Sequence, residues 1–417
     1  MSDSIRQSSE FEIKSMVIAS PKTNIQVDIR GIFEEMNIYD SVLLNSISGN
    51  IIIVDSIGIL KGFEFDGSEY LLIEMSKVTD LFPFKAVFHI YKQSRKDILT
   101  QGSVSYQLNF ISDEYTVSEQ TRVAQHYETT YSNMANLILK DYLKLAPTKS
   151  KGIINPSQGI RSVIIPTMKP LDALTWCSKR ALDVNDKPTF LFYENFDGYN
   201  FASITDIFKQ TPLANINFTP KNLTNNLNVE FFGVRDYEVL DQFDFIENTK
   251  SGVYAKTGRF YDINNRTYKE FKTNFNQDQS GVGSANANKN TPPSKNNIFN
   301  IRPEQAYSSK IESYFYNSKL TGKEETPDKW LLQRESIMQN LFARKIRVVM
   351  AGNFLYTSGK LMNVFVPKFS VSASNDSDSG LDKFLSGNYL IVSTKHTLRA
   401  ESREHTTTMD LVTDSTT

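Results

Sequence analysis

Ile25-Gln26-Val27-Asp28-Ile29-Arg30-Gly31-Ile32-Phe33-Glu34-Glu35-Met36-Asn37-Ile38 is the stretch on which the fold turns. Ile25, Val27 and Ile29 alternate with polar residues, as a strand with one buried face requires. At Gly31 the phase slips, and Ile32, Met36 and Ile38 take up the other parity. A slip of one residue reverses the faces, so the glycine marks a bulge or bend. Outward from there, further strands are expected at 51–54, 70–75, 86–91 and 104–110. Turn signals separate them: Ser48-Gly49-Asn50, Asp66-Gly67-Ser68 and Gln101-Gly102. Short strands at this spacing predict an antiparallel barrel or sandwich over residues 1–115.

After Ser112-Asp113 the pattern changes. Ser132 is placed to cap a helix carrying Met134, Leu137, Ile138, Tyr142 and Leu145 at three- and four-residue intervals. A second helix is expected from Pro170, a residue at home in a first turn, with Leu171, Leu174, Ala181 and Leu182 inward. Phe190-Leu191-Phe192-Tyr193, a turn at Phe196-Asp197-Gly198, and Tyr199-Asn200-Phe201 read as a hairpin. Residues 116–225 are therefore an α+β insertion module. β-character returns at 229–239. Residues 274–300 are rich in Asn, Gly, Ser and Gln and are expected to form a flexible loop. A helix follows Pro327, with Trp330, Leu331, Ile337, Met338 and Leu341 on one face. The last 75 or so residues return to strands at 346–350, 354–356, 361–366, 389–392 and 407–412.

Two β-regions with one plan emerge. Each ends with a histidine-bearing strand (His89, His396), a charged turn and a closing alternating strand. The fold class expected is mainly β with α+β insertions. Two antiparallel β-barrels are assigned to 1–115 and to 226–255 joined with 340–417. Residues 256–339 form a second insertion, holding the loop 274–300 and the helix.

Composition narrows the function. In 417 residues, 46 basic and 47 acidic side chains leave a net charge of −1, far from the basic field that grips nucleic acid. With 28 Phe and 19 Tyr against 2 Trp, the aromatics suit pleated, half-buried surfaces. Cys177 is the single cysteine, so no disulfide forms within the chain and stability comes from packing. No secretion signal opens the sequence and no apolar run approaches the ~20 residues of a membrane span.

No catalytic, cofactor-binding or metal-binding residue is assigned. His89, His126, His396 and His405 make no HxH or HExxH pattern, and Cys177 has no cysteine partner, so zinc lacks a ligand set. Asn375-Asp376-Ser377-Asp378-Ser379-Gly380 puts its aspartates out of register for a calcium loop, with Ser386 where the bidentate Glu belongs. Gly281-Val282-Gly283 lacks a third glycine and a lysine and makes no phosphate cradle. Glu401, Asp410 and Thr416 share the sequence spacing of a phage-type lysozyme trio, but no lysozyme domain surrounds them. Glycoside hydrolysis needs two carboxyls facing one sugar. Asn217, Asn222 and Asn265 head sequons that mean little without a secretory route.

Three segments carry a family resemblance. The first runs from Ile38-Tyr39-Asp40-Ser41-Val42 through Ile47-Ser48-Gly49-Asn50-Ile51-Ile52-Ile53-Val54-Asp55-Ser56 to Phe65-Asp66-Gly67-Ser68-Glu69-Tyr70-Leu71-Leu72-Ile73. The second is Phe192-Tyr193-Glu194-Asn195-Phe196-Asp197-Gly198-Tyr199-Asn200-Phe201. The third is Gly387-Asn388-Tyr389-Leu390-Ile391-Val392 with His396 and the strand 407–412. In this order they resemble the baseplate hub proteins of contractile-tailed bacteriophages, which share their tube architecture with the hub part of VgrG-type spikes. The resemblance implies a non-enzymatic homotrimer with two tube-type barrels per subunit. Its six barrels would form a ring adapting a sixfold tail tube to a trimeric central spike, with other baseplate proteins as neighbours. DNA would pass through without specific binding, no cofactor would be needed, and the chain would assemble in the host cytoplasm and reside in the virion. A receptor-binding or adhesin-type tail protein shares the β-rich, Tyr-rich composition and is the alternative. A cell-wall hydrolase subunit, resting on Glu401 and Asp410, is the enzymatic rival.

Overall fold

In the first 115 residues the alternating segments become β1 (Glu12–Ser20), β2 (Ile25–Asp28), β3 (Phe33–Ser41), β4 (Ser48–Asp55), β5 (Tyr70–Ser76), β6 (Phe84–Thr100) and β7 (Ser103–Ser112). The computed structural model describes residues 9–60, 63, 65–76, 83–100, 102–145, 149, 152–218, 234–241, 244–290, 308–316, 327–368 and 381–417. The phase slip at Gly31 is a turn between β2 and β3, closed by Phe33 N donating to Ile29 O at 3.0 Å. It lets Ile29 and Ile32 bury in the same core despite opposite parity.

That core holds Met16, Met36, Ile51, Leu71, Leu108 and Phe110, and its one fully buried member from outside β1–β7 and their turns is Leu398. The sheet therefore has to curl over its own apolar face, as a barrel does. Glu69, fully buried, shapes the entry to β5 by accepting from the backbone of Asp66 and Gly67, both at 3.0 Å.

The middle module follows. It comprises α1 (Asp113–Gln120), β8 (His126–Thr129), α2 (Tyr131–Ile138) running into a π-turn (Leu139–Leu143), β9 (Arg161–Ile164), α3 (Pro170–Arg180), β10 (Phe190–Asn195) and β11 (Gly198–Ser203). The cap of α2 is Thr130, whose hydroxyl accepts from Asn133 N at 3.3 Å, rather than the expected Ser132. Ser132 is the second residue of the helix, in its first turn, and is bonded to Ser157. Every residue of the β10–β11 hairpin is buried. Phe190 and Phe192 face the module's own core, while Leu191 and Tyr193 face a second core beneath the C-terminal strands. Burial on both faces is what an unbroken apolar strand signals.

The remaining strands are β12 (Asn215–Asn217), β13 (Val234–Asp241), β14 (Ala255–Asp262), β15 (Thr267–Asn274), β16 (Asn288–Lys289), β17 (Ser308–Tyr316), β18 (Arg344–Ala351), β19 (Leu361–Phe365), β20 (Gly387–Arg399), β21 (Glu404–Thr413) and β22 (Ser415–Thr416). β12, expected in the insertion module, pairs in parallel with β19. β14, β15 and β17 make a separate three-stranded sheet where a loop and a helix alone were expected. The helix Pro327–Leu341 is present, with Leu332, Ile337 and Leu341 buried.

The expectation of a flexible loop at 274–300 is corrected over its first part. Phe275, Val282 and Ala285 are buried, and Asn286 pins the segment to the C-terminal strands. Its side chain donates to Asn388 O, Thr413 Oγ1 and Ser415 O, and accepts from Asn388 N at 2.7 Å. A polar residue satisfied this fully packs as well as an apolar one. Residues 291–300 lie outside the described residues.

Candidate assembly site at the seam of two motifs

One thirteen-stranded sheet contains the same motif twice. Its first part runs β3-β4-β7-β6-β5 and its second β13-β18-β21-β20-β19. Numbered by position along the chain, both read 1-2-5-4-3, with every neighbour antiparallel. The registers align through the shared partner strands, although β6 carries further bulges at Ser94 and Leu99, and β13 one at Leu240, that β20 and β3 lack. Both first strands skip one residue at the same place, Glu34 in β3 and Arg235 in β13, and both fourth strands skip one at Tyr91 and Val392. Val239 then stands for Ile38, Tyr237 for Met36, Ile346 for Gly49, Leu411 for Phe110 and Ile391 for Ile90. His89, however, aligns with Leu390 and His396 with Lys96, so the shared histidine is a coincidence within a repeat that the strand order carries.

The two motifs join where β20 pairs with β3, Ser393 opposite Ser41 through Arg399 opposite Glu35. Asp40 lies at this seam, 1% exposed. It accepts hydrogen bonds from Thr357 Oγ1 and Thr394 Oγ1, and from Ser358 N at 2.9 Å. Burial outweighs these bonds and, helped by the charge of Glu194, pushes its carboxyl up to about 7. The hairpin of the middle module reaches the same loop: Asn195 Nδ2 donates to Ser358 O at 2.9 Å and Phe196 N to Thr357 Oγ1 at 3.2 Å.

Around the seam an aromatic cluster fills the space. Phe84 and Phe354 stack at 3.9 Å between centroids, and Phe196, His396 and His405 close around them. The two imidazoles are bonded to each other, His396 Nδ1 to His405 Nε2 at 3.0 Å, and His396 Nε2 to Tyr356 O at 3.0 Å. Beneath them Lys149 bridges Glu114 and Glu194, whose Oε1 is 2.8 Å away. Burial raises the Glu114 carboxyl despite Lys149. On the ammonium of Lys149, Glu194 and Glu114 overcome the opposite effect of burial. This triad lines a cavity of about 610 Å³ with Phe84, Val87 and Phe196. These contacts tie the hairpin of the middle module to both motifs of the one sheet.

The residues weighed for chemistry are scattered. Asp410 is mid-strand on β21, bonded to Arg347 at 2.9 Å and near Lys345 at 3.5 Å. Burial raises its carboxyl, but those two cations and Ser393 outweigh it and hold it below the ordinary range. That suits an ion pair and opposes a general acid. Glu401 is in the exposed turn between β20 and β21. Six residues of strand from Glu404 to Asp410 put it roughly 20 Å off, beyond the ~5–9.5 Å of paired glycosidase carboxyls. Thr416 pairs with Asn288. His89 contacts Gly67 O at 2.8 Å and His126 contacts Ser162 Oγ at 2.9 Å. Cys177 is buried in α3. Among the described residues no three His, Cys, Asp or Glu side chains gather as a metal site. Residues 375–380 and Asn222 lie outside the described residues. Gly283 packs against Thr205.

No protein-family model and no curated protein sequence matches the chain. Solved structures do. A tail protein from Neisseria meningitidis MC58 is similar with a TM-score of 0.55 at 11% identity, over 97% of each chain. The 43 kDa tail protein of prophage MuSo2 from Shewanella oneidensis matches with a TM-score of 0.55 at 11% identity, over 97% of this chain and 99% of that one. The chain has the fold of these phage tail proteins. The likeness spans both five-strand motifs, the module between them and the second insertion, and it agrees with the β-rich α+β architecture read from the residues.

Proposed function

We propose that the chain is a structural hub of a contractile phage tail baseplate. In this reading three copies form a ring with two five-strand motifs each, and the six motifs adapt the sixfold tail tube to the central spike. The observation that carries it is the repeated 1-2-5-4-3 strand order with matching bulges, joined edge to edge in one chain. A trimer can meet a sixfold tube on near-equivalent terms only if each subunit offers the same surface twice. The two tail-protein folds support the placement in a tail. The barrels assigned to 1–115 and to 226–255 with 340–417 are the ring-forming units in this proposal, and the two insertions decorate it.

The partners would be the spike, the tube protein and other baseplate proteins. DNA would cross the ring without sequence-specific contact, and the finished protein would be in the virion after assembly in the host cytoplasm. No geometry favours catalysis by Glu401 and Asp410. Light scattering with and without the spike tests the proposal: it expects about three times the 47.5 kDa chain mass in at least one condition, and a monomer or dimer in both would overturn it.

A further inference from the structure

Strand β6 is longer than its partner. Residues 84–89 pair with β5 on one side, but residues 92–100 bond, among the described residues, only to β7. The equivalent half of β20 is not left open: residues 393–399 pair with β3, the first strand of the other motif. The matching first strand of the second motif, β13, ends the sheet and, among the described residues, pairs only with β18. Among the described residues each copy thus presents two open strand edges, related to each other as β20 is to β3.

We propose that the overhang of β6, through its bulge-free run Arg95–Ile98, pairs antiparallel with β13 of a second copy, in the register that β20 and β3 use within the chain. For the number of copies this rests on the trimeric ring proposed above; for the contact itself it rests on the internal repeat. Carrying the β20–β3 pairing across puts Ile98 opposite Tyr237, as Leu398 lies opposite Met36, and Lys96 opposite Val239, as His396 lies opposite Ile38.

The surfaces agree with that match. Ile98 is 80% exposed and Tyr237 40%, whereas their internal counterparts Leu398 and Met36 are fully buried. Exposed apolar side chains on an open edge invite another strand, and the bulges at Ser94 and Leu99 leave Arg95–Ile98 as the straight run that can take one. Charge is complementary as well. The overhang carries Lys92, Arg95 and Lys96 against Asp97, while β13 exposes Asp236 and Glu238 and ties its Arg235 to Glu404. Asp97 would face Glu238, a like-charged pair, but it is ion-paired with Arg95, so the net basic charge of the overhang rests on Lys92 and Lys96. Self-pairing of two overhangs would oppose basic strands, and pairing of two β13 edges would oppose acidic ones. The contact is therefore head-to-tail, which closes rings.

Disulfide trapping tests the register. In a Cys177→Ala background, Ile98→Cys with Tyr237→Cys should give, on oxidation, a ladder that ends at a covalently closed trimer. Gln93→Cys with Tyr237→Cys, five residues out of register, should give at least tenfold less. Ile98→Lys, at a site already exposed, should leave the fold intact and raise the concentration needed for half-assembly at least tenfold. A trimer by light scattering that neither cross-links nor responds to Ile98→Lys would overturn this pairing and leave the ring standing. Cross-linking of Ile98→Cys alone would replace it with a twofold contact. A monomer at every concentration would overturn both.

Discussion

Replacing Asp40 by asparagine should remove a pH dependence that the seam imposes on stability. The carboxyl is buried among Thr357, Ser358 and Thr394, and burial lifts it from 3.8 to about 7. The folded state thus holds the proton more tightly than the unfolded chain. The resulting stabilisation is complete below about pH 4 and is lost as the pH rises through about 7. Within that window each pH unit costs about 1.4 kcal/mol, so from pH 5 to pH 8 the wild type should lose about 3 kcal/mol through this one group. The amide of Asp40→Asn cannot titrate, and the hydroxyls of Thr357 and Thr394 can turn to serve it. Urea titrations of both proteins at pH 5, 6, 7 and 8 should therefore diverge, the variant gaining about 3 kcal/mol on the wild type. Hydrogen exchange of the Ser358 amide, which donates to Asp40, gives a local readout of the same trend. Parallel pH profiles would refute the reasoning and mean that the seam admits water or a counter-charge.

Lys149→Met should destabilise by about 3–5 kcal/mol, because it strands Glu114 and Glu194 together without their cation; adding Glu114→Gln and Glu194→Gln should recover most of the loss in thermal midpoint. Asn286→Ala breaks the link between 274–290 and the C-terminal strands, and should cost roughly 1–3 kcal/mol and speed proteolysis at the C-terminus. Gly49→Ala would put a methyl 2.3 Å from both the Phe110 ring and the Asn37 carbonyl, and should cost about 1–3 kcal/mol by chemical denaturation. The equivalent position of the second motif, with Ile346 opposite Leu411, accommodates a side chain.

These perturbations also mark what the residues can and cannot disclose. Alternation is local, so β3, β4 and the β10–β11 hairpin are legible from Met36, Ile38, Ile51 and Phe190 to Phe201. The repeat is legible only in outline: His89 and His396 suggest it but are not equivalent, while the real equivalences lie in matched bulges at Glu34 and Arg235. The seam is invisible because Asp40 meets Thr394 across 354 positions, and no local pattern encodes such a partner. Residues 274–290 mislead because composition measures apolar content, and Asn286 is held by hydrogen bonds instead. Ser132 and Thr130 both suit the role of helix cap, and the choice between them depends on Ser157, 25 residues from Ser132.

End-on cryo-electron microscopy of the assembled particle tests the central claim most directly. The account predicts class averages of a closed ring with six similar densities that average under threefold symmetry, one copy supplying two adjacent densities. A ring of six separate copies, a ring of any other order, or density for this chain only at the periphery of the tail would contradict it.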